Sequence, residues 1–86
     1  MAIGPNADER FNAVLVRIDW DRKIHTIKLV VEITGISIAG AKDFIEHLPR
    51  TVKRNVSDEE GRALRRRFDA LGAYLVLESS AQPLPG

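Results

Sequence analysis

The fold of this chain depends on one internal stretch, KIHTIKLVVEITGISIAGAKDFIEHLP, from Lys23 to Pro49. The apolar residues of its first half alternate as in a strand: Ile27, Leu29, Val31 and Ile33. The same half also fits a helix, whose apolar stripe consists of Ile24, Ile27, Val31 and Thr34. The period of the apolar residues does not distinguish the two, so both interpretations stay open at this point.

The second half of the stretch carries clearer signals. Gly35 ends the first element, most naturally as the residue after a helix C-terminus. Ser37 is a good N-cap, and we expect a short helix from Ile38 to His47, because Pro49 prevents its continuation. Its predicted inward stripe consists of Ile38, Ala41, Ile45 and Leu48.

Two strands flank this stretch. Residues Phe11 to Ile18 (FNAVLVRI) are β-branched and apolar on both faces, which predicts a buried central strand. Asp21 is a candidate cap for the element that follows. Residues Arg50 to Val56 (RTVKRNV) form a polar strand, which we place at an edge because its cations discourage pairing with other chains.

The sequence Ser57-Asp58-Glu59-Glu60 (SDEE) is a capping box and predicts a helix start. This helix is expected to run to about Leu71 and to bury Leu64, Phe68 and Leu71, before Gly72 ends it. Residues Ala73 to Glu78 (AYLVLE) read as a final strand. With the ambiguous segment taken as a helix, the order β-α-α-β-α-β predicts a two-layer α+β fold.

Composition limits the function classes. The 86 residues suit one domain, and a net charge of +1 is too small to indicate a nucleic-acid partner by itself. The absence of cysteine excludes disulfides and thiolate metal sites. No apolar run suggests a membrane span or a signal peptide, so we expect a cytoplasmic protein without a membrane association. Residues 1–10 and 79–86 are expected to be disordered.

Few residues suggest chemistry. His25 and His47 lack the nearby acid that would complete a metal site, and Asp19 and Asp21 lack an acid–base partner, so we expect no metal, no cofactor and no catalysis. Trp20, in a polar loop, is either a binding anchor or a cover for the sheet edge. The third helix carries four arginines: Arg62, Arg65, Arg66 and Arg67. Acids at pairing distance along the helix, Glu59, Glu60 and Asp69, favour a solvated face over direct nucleic-acid binding.

From Phe11 to Glu78 the chain resembles the C-terminal domain of the bacterial ribosomal stalk protein family (L7/L12). The matching segments are FNAVLV, KIHTIK, TGISIAGAKDFIEHLP, VKRNVSDEE and ALRRRFDALGAYLVLE. The most specific are the stretch from Thr34 through Ala41-Lys42-Asp43 and the capping box that leads to the helix ending before Gly72-Ala73. The resemblance implies that Lys23 to Ile33 is helical, and that three helices cover one face of a three-stranded antiparallel sheet.

The resemblance also implies a function. In the family this domain binds translational GTPases, recruits them to the ribosome and does not catalyse. Carried over by position, the partner-binding surface is Lys23, Ile24, His25, Ile27, Lys28, Ile38 and Lys42. An apolar centre rimmed by lysines suits a fast, weak interaction with an acidic helix of a protein partner.

The chain departs from the family at several positions. His25 replaces a small residue, Val31 replaces an arginine, and Ala39-Gly40 replaces a lysine–glutamate pair; one residue is added in the Trp20 loop. These changes keep an alternative open, a stand-alone adaptor of the same fold for a non-ribosomal protein. Because ten residues before Phe11 cannot hold the family's dimerisation domain and hinge, we expect a monomer.

Overall fold

The computed structural model describes residues 9–80. Of the two segments expected to be disordered, 1–10 and 79–86, residues 1–8 and 81–86 lie outside the described part, whereas Ser79 ends the last strand and the Ser80 N–H donates to the Arg10 carbonyl at 2.9 Å. The elements are β1 (Phe11–Arg17), a 3₁₀ turn (Trp20–Arg22), α1 (Lys23–Thr34), α2 (Ile38–Glu46), β2 (Arg50–Val56), α3 (Asp58–Asp69) and β3 (Tyr74–Ser79). This order confirms the predicted β-α-α-β-α-β arrangement.

The sheet has the strand order β2-β1-β3, with both pairings antiparallel, so β1 is central as predicted and β2 lies at an edge. Burial of β1 is nevertheless one-sided. Ala13 and Leu15 are fully buried, whereas Val14 and Val16 on the opposite face are only half-buried. The expectation of burial on both faces was therefore wrong, because the helices cover one face of the sheet.

The ambiguous segment is helix α1, and neither predicted apolar pattern describes it. Its buried residues are Thr26, Ile27, Leu29 and Val30, whereas Ile24 from the expected helical stripe is 56% exposed. The buried threonine is satisfied locally, since its hydroxyl donates to the Arg22 carbonyl at 3.0 Å. Packing of α1 against α2 and β2 thus outweighs the strand propensity of its β-branched residues.

The expected cap at Asp21 is also wrong. The carboxylate of Asp19 instead accepts a hydrogen bond from the Asp21 N–H at 3.0 Å and caps the 3₁₀ turn, and α1 begins at Lys23 without a side-chain cap. The extra turn supplies the helical start that a cap would otherwise provide.

The corner between α1 and α2 forms as the sequence predicts. Gly35 has a left-handed backbone (φ +77°), and its N–H donates to the Val31 carbonyl at 2.8 Å. The Ser37 hydroxyl accepts from the Gly40 N–H at 3.0 Å and caps α2. The buried residues of α2 are Ala41, Phe44 and Ile45. Ile38, expected to face inward, is 65% exposed because it lies in the first turn, beyond the core.

Helix α3 carries half of the predicted capping box. The Ser57 hydroxyl accepts from the Glu60 N–H at 3.0 Å, but the Glu60 carboxylate pairs with Lys53 of β2 instead of returning to the cap. The helix ends at Asp69, before the expected Leu71. Leu64 and Phe68 are buried as predicted, and Leu71 is half-buried.

One core lies between the helices and the sheet. Its largest fully buried side chains are Phe68, Leu15, Leu75, Val30, Val56 and Thr26. Because every helix and strand except α2 contributes one of them, and α2 adds the nearly buried Phe44, the core ties all six elements together.

Within residues 9–80, no single helix has the length and apolar character needed to cross a membrane. The segments Trp20–Thr34 and Ile38–Glu46 meet those criteria only when taken together, and they are bent by 111° at their break.

The cap at Ser57 gives a stability prediction. Ser57→Ala should lower the free energy of unfolding by about 1 kcal/mol, because the Glu60 N–H loses its acceptor, whereas Ser57→Asp should retain most of the stability. Urea denaturation of both variants measures this difference. Ser80→Ala, at an exposed position after β3, is the control; equal stability of Ser57→Ala and this control would contradict the prediction.

Candidate functional site

A groove of about 380 Å³ opens where α1 meets α2, and we call it the α1–α2 groove. Its lining residues are Lys23, Ile24, Ile27, Lys28, Ile38 and Lys42. The structure therefore brings together six of the seven residues that the resemblance predicts as a binding surface. The seventh, His25, lies on another side of α1.

Helical spacing and the corner at Gly35 build this groove. Ile24 and Ile27 are three positions apart on α1, and Ile38 and Lys42 are four apart on α2, so each pair lies on one helix face. The 111° bend turns these two faces toward each other. Buried Ile27 forms the floor, while Ile24 and Ile38 are mostly exposed, which places two large apolar side chains at the surface.

The charge of the α1–α2 groove has one sign. Lys23, Lys28 and Lys42 are exposed, and no acidic residue is part of the lining. Among residues 9–80, the ion pairs all involve other side chains, so no carboxylate forms an ion pair with these three lysines. An apolar centre with three uncompensated ammonium groups suits the binding of an acidic, partly apolar protein surface.

A second groove of about 380 Å³, the α1–α3 groove, lies on the other side of α1. Its lining residues are His25, Lys28, Leu29, Glu32, Arg67, Ala70 and Leu71. Lys28 therefore lines both grooves. The Arg67 guanidinium contacts both oxygens of Glu32, at 2.9 Å and 2.8 Å, and links α3 to α1 across the groove.

This ion pair shifts the pKa values of both Glu32 and Arg67. The hydrogen bond from Arg67, followed by its charge, lowers the pKa of the Glu32 carboxyl, and the same hydrogen bond raises the pKa of Arg67. Sequence reasoning missed this pair because its members lie 35 positions apart on different helices. The one ion pair between two residues of α3 joins Arg62 to Asp58 at 3.1 Å, so the expected pairing of the arginines with Glu59, Glu60 and Asp69 was wrong.

A third groove runs between β2 and the α1–α2 corner, and two of its three cations, Arg50 and Lys53 but not Arg54, have a partner among residues 9–80. Arg50 lies 4.7 Å from the centre of the Phe44 ring and 3.7 Å from the Asp43 carboxylate. Lys53 is paired with Glu60. The α1–α2 groove therefore has more cations without an ion-pair partner than this third groove has.

The two histidines occupy separate environments. His25 lines the α1–α3 groove, whereas His47 Nδ1 contacts the Asp43 carbonyl and carboxylate at 2.9 Å and 3.4 Å. Across residues 9–80, no three potential metal ligands of the His, Cys, Asp or Glu type cluster together. Trp20 is 54% exposed on the 3₁₀ turn, one turn before Ile24, and its role as an anchor stays a prediction.

Comparison with known proteins shows which family the chain resembles. Residues 11–78 match the family model described as the ribosomal protein L7/L12 C-terminal domain. The chain is 40% identical over 70 residues to large ribosomal subunit protein bL12 of Leptospira interrogans, a match that covers 81% of this chain and 55% of that protein. It is 34% identical over 77 residues to the bL12 of Endomicrobium trichonymphae, covering 90% and 61%.

A third relative, the bL12 of Caldanaerobacter subterraneus, is 38% identical over 68 residues, covering 79% of this chain and 54% of that protein. The chain thus spans only about half to three-fifths of the length of these relatives. The shared segment contains both helices of the α1–α2 groove.

The Glu32–Arg67 pair gives a pH prediction. The carboxyl of Glu32 should titrate below its ordinary pKa, and Arg67→Gln should return the pKa to that range. Because the pKa of the folded state is the lower one, the pair stabilises the fold at neutral pH, and that contribution is lost as the pH falls through the folded-state pKa. Carboxyl-carbon NMR titration of both proteins measures the shift; an unchanged Glu32 titration in Arg67→Gln would contradict it.

Proposed function

Because the chain belongs to the ribosomal protein L7/L12 C-terminal domain family, we propose that it is a ribosomal stalk module that recruits translational GTPases to the ribosome. The α1–α2 groove is the proposed contact surface. The module acts by binding alone, in the cytoplasm where translation takes place. The observation that carries the proposal is the convergence of six predicted contact residues on one groove with uncompensated positive charge.

The isoleucines and the lysines of the α1–α2 groove contribute to binding in different ways. Ile24 and Ile38 lose exposed apolar surface when a partner covers them, which contributes affinity. The lysines attract an acidic surface over a distance of about 8 to 10 Å at physiological salt and so raise the association rate. A small apolar centre with a charged rim favours the rapid exchange that a factor-recruiting module requires.

The departures from the family affect this surface unequally. Val31, where the family has an arginine, is half-buried and packs against the core, so this position adds no charge to the surface of α1. Ala39 is exposed and Gly40 is half-buried, and neither residue lines the α1–α2 groove. Neither departure removes a lining residue, and no feature of residues 9–80 favours the alternative of a non-ribosomal adaptor.

The proposal predicts where a partner contacts the domain. Purified translational elongation factors from the source organism, in their GTP-bound form, should shift the backbone amide signals of Lys23 to Lys28 and Ile38 to Lys42 in NMR titrations. The absence of shifts at millimolar concentrations would contradict the proposal.

Sedimentation equilibrium of the protein without an added factor tests the monomer prediction.

Side-chain variants test the two components of the groove. Ile38→Ala should weaken binding by about three- to tenfold through lost apolar contact, and Lys42→Glu should weaken it at least as much, with a slower association rate. Both residues are exposed, so the fold should be unaffected. Tyr74→Ala is the matched control, since Tyr74 is a similarly exposed apolar residue that does not line the groove. Equal losses in all three variants would argue against a specific site.

A further inference from the structure

We propose that the partner bound in the α1–α2 groove also occupies the α1–α3 groove, so that it straddles α1 and places an acidic segment against Lys28 and His25. This inference rests on the proposed function and extends the contact surface to α3. The expected occupant is a segment with an apolar side chain beside a carboxylate, on the same protein that fills the α1–α2 groove.

The geometry of α1 makes the two grooves neighbours. At 100° per residue, Lys23, Ile24 and Ile27 occupy one side of the helix. The residues on the other side are His25, Leu29 and Glu32. Lys28 lies between these two sides and lines both grooves. Since a helix with its side chains is about 10 to 12 Å wide, one partner surface can cover both.

The α1–α3 groove offers an apolar floor between two helices. Leu29 is buried, and Leu71 is half-buried at the opposite wall, beside exposed Ala70. The Arg67–Glu32 ion pair crosses between the two helices at one end. The Arg22 guanidinium donates to the Ala70 carbonyl at 3.4 Å and joins the same two parts of the fold, one turn before His25. The floor can therefore receive an apolar side chain without a rearrangement of the helices.

The charge of this groove selects an acidic occupant. Glu32 is the single acid in the lining, and Arg67 engages both of its oxygens, so the pair is neutral as a unit. Lys28 is then the uncompensated charge, with the His25 ring beside it on the same helix. Lys23 and Lys42 on the adjoining groove add to the same positive field.

Other occupants fit this charge poorly. A second copy of the chain would bring the same lysines against each other, which is unfavourable. The chain's own segments 1–8 and 81–86 contain a single acidic side chain, that of Asp8. An acidic segment of another protein is therefore the occupant that the groove complements.

Neutralising either member of the Glu32–Arg67 ion pair tests the inference, because the two variants should change the binding affinity in opposite directions. Glu32→Gln leaves the Arg67 charge without a partner in the groove and should tighten binding of the GTP-bound elongation factor by about two- to fivefold. Arg67→Gln leaves the Glu32 carboxylate in the groove and should weaken binding by a similar factor. A merely structural role of the pair would make both variants behave alike. Isothermal titration calorimetry at constant ionic strength measures both.

The Lys53–Glu60 pair is the matched control, because it lies outside the lining of both α1 grooves. Glu60→Gln and Lys53→Gln change the net charge as Glu32→Gln and Arg67→Gln do, and both should leave binding unchanged. If the Lys53 and Glu60 variants changed binding as much as the Arg67 and Glu32 variants, the cause would be overall charge and the inference would be overturned. It would also be overturned if none of the four variants changed binding.

Amide shifts separate this inference from the proposed function. Shifts at Arg67, Ala70 and Leu71, together with those of α1 and α2, would support a straddling partner. Shifts confined to α1 and α2 would overturn this inference alone, with the proposed function retained. No shifts in any of these helices would overturn both.

Discussion

The left-handed backbone of Gly35 is the constraint on which the α1–α2 groove, the candidate binding surface, depends. A residue with a side chain would be strained at φ +77° even though a Cβ there would meet no other atom within 4 Å. The restriction is therefore conformational, and it ends α1 at a defined residue. Ser37 starts α2 two residues later, and the resulting 111° bend brings Ile24 and Ile38 to one groove.

Charge is distributed unevenly in a protein whose formal net charge is only +1. The acids in the ion pairs found in residues 9–80 are Glu32 of α1, Asp43 of α2, and Asp58 and Glu60 of α3. Such exposed pairs contribute little to stability individually. None of these pairs includes Lys23, Lys28 or Lys42, so the three lysines of the α1–α2 groove have no ion-pair partner among these residues. A local positive field thus exists without a strongly basic composition.

Local signals in the sequence predicted the ends of elements better than their buried faces. Gly35, Ser37 and Ser57 act through hydrogen bonds within three or four residues, so their roles could be recognised from the sequence. The buried face of α1 could not, because Ile24 and Ile27 are chemically alike and only the position of α2 decides which of them is covered. The same reason applies to Ile38, which was expected in the core and lies at the surface.

The candidate site was also predicted only in part from the sequence. Resemblance to the family predicted seven candidate contact residues, but it did not separate His25 from the other six, since that separation follows from where α3 packs beside α1. The Glu32–Arg67 pair and the double role of Lys28 were likewise beyond sequence reasoning, because they depend on residues 35 or more positions apart.

The sequence by itself determined the α1–α2 corner and the caps of α2 and α3, because these depend on backbone interactions between near neighbours. Only the tertiary structure decided that the β-branched segment Lys23–Thr34 is a helix in preference to a strand. It also decided which of its faces is buried and which of its side chains share a groove. The physical reason is that burial depends on contacts with distant elements, and those contacts outweigh a local preference of a fraction of a kcal/mol per residue.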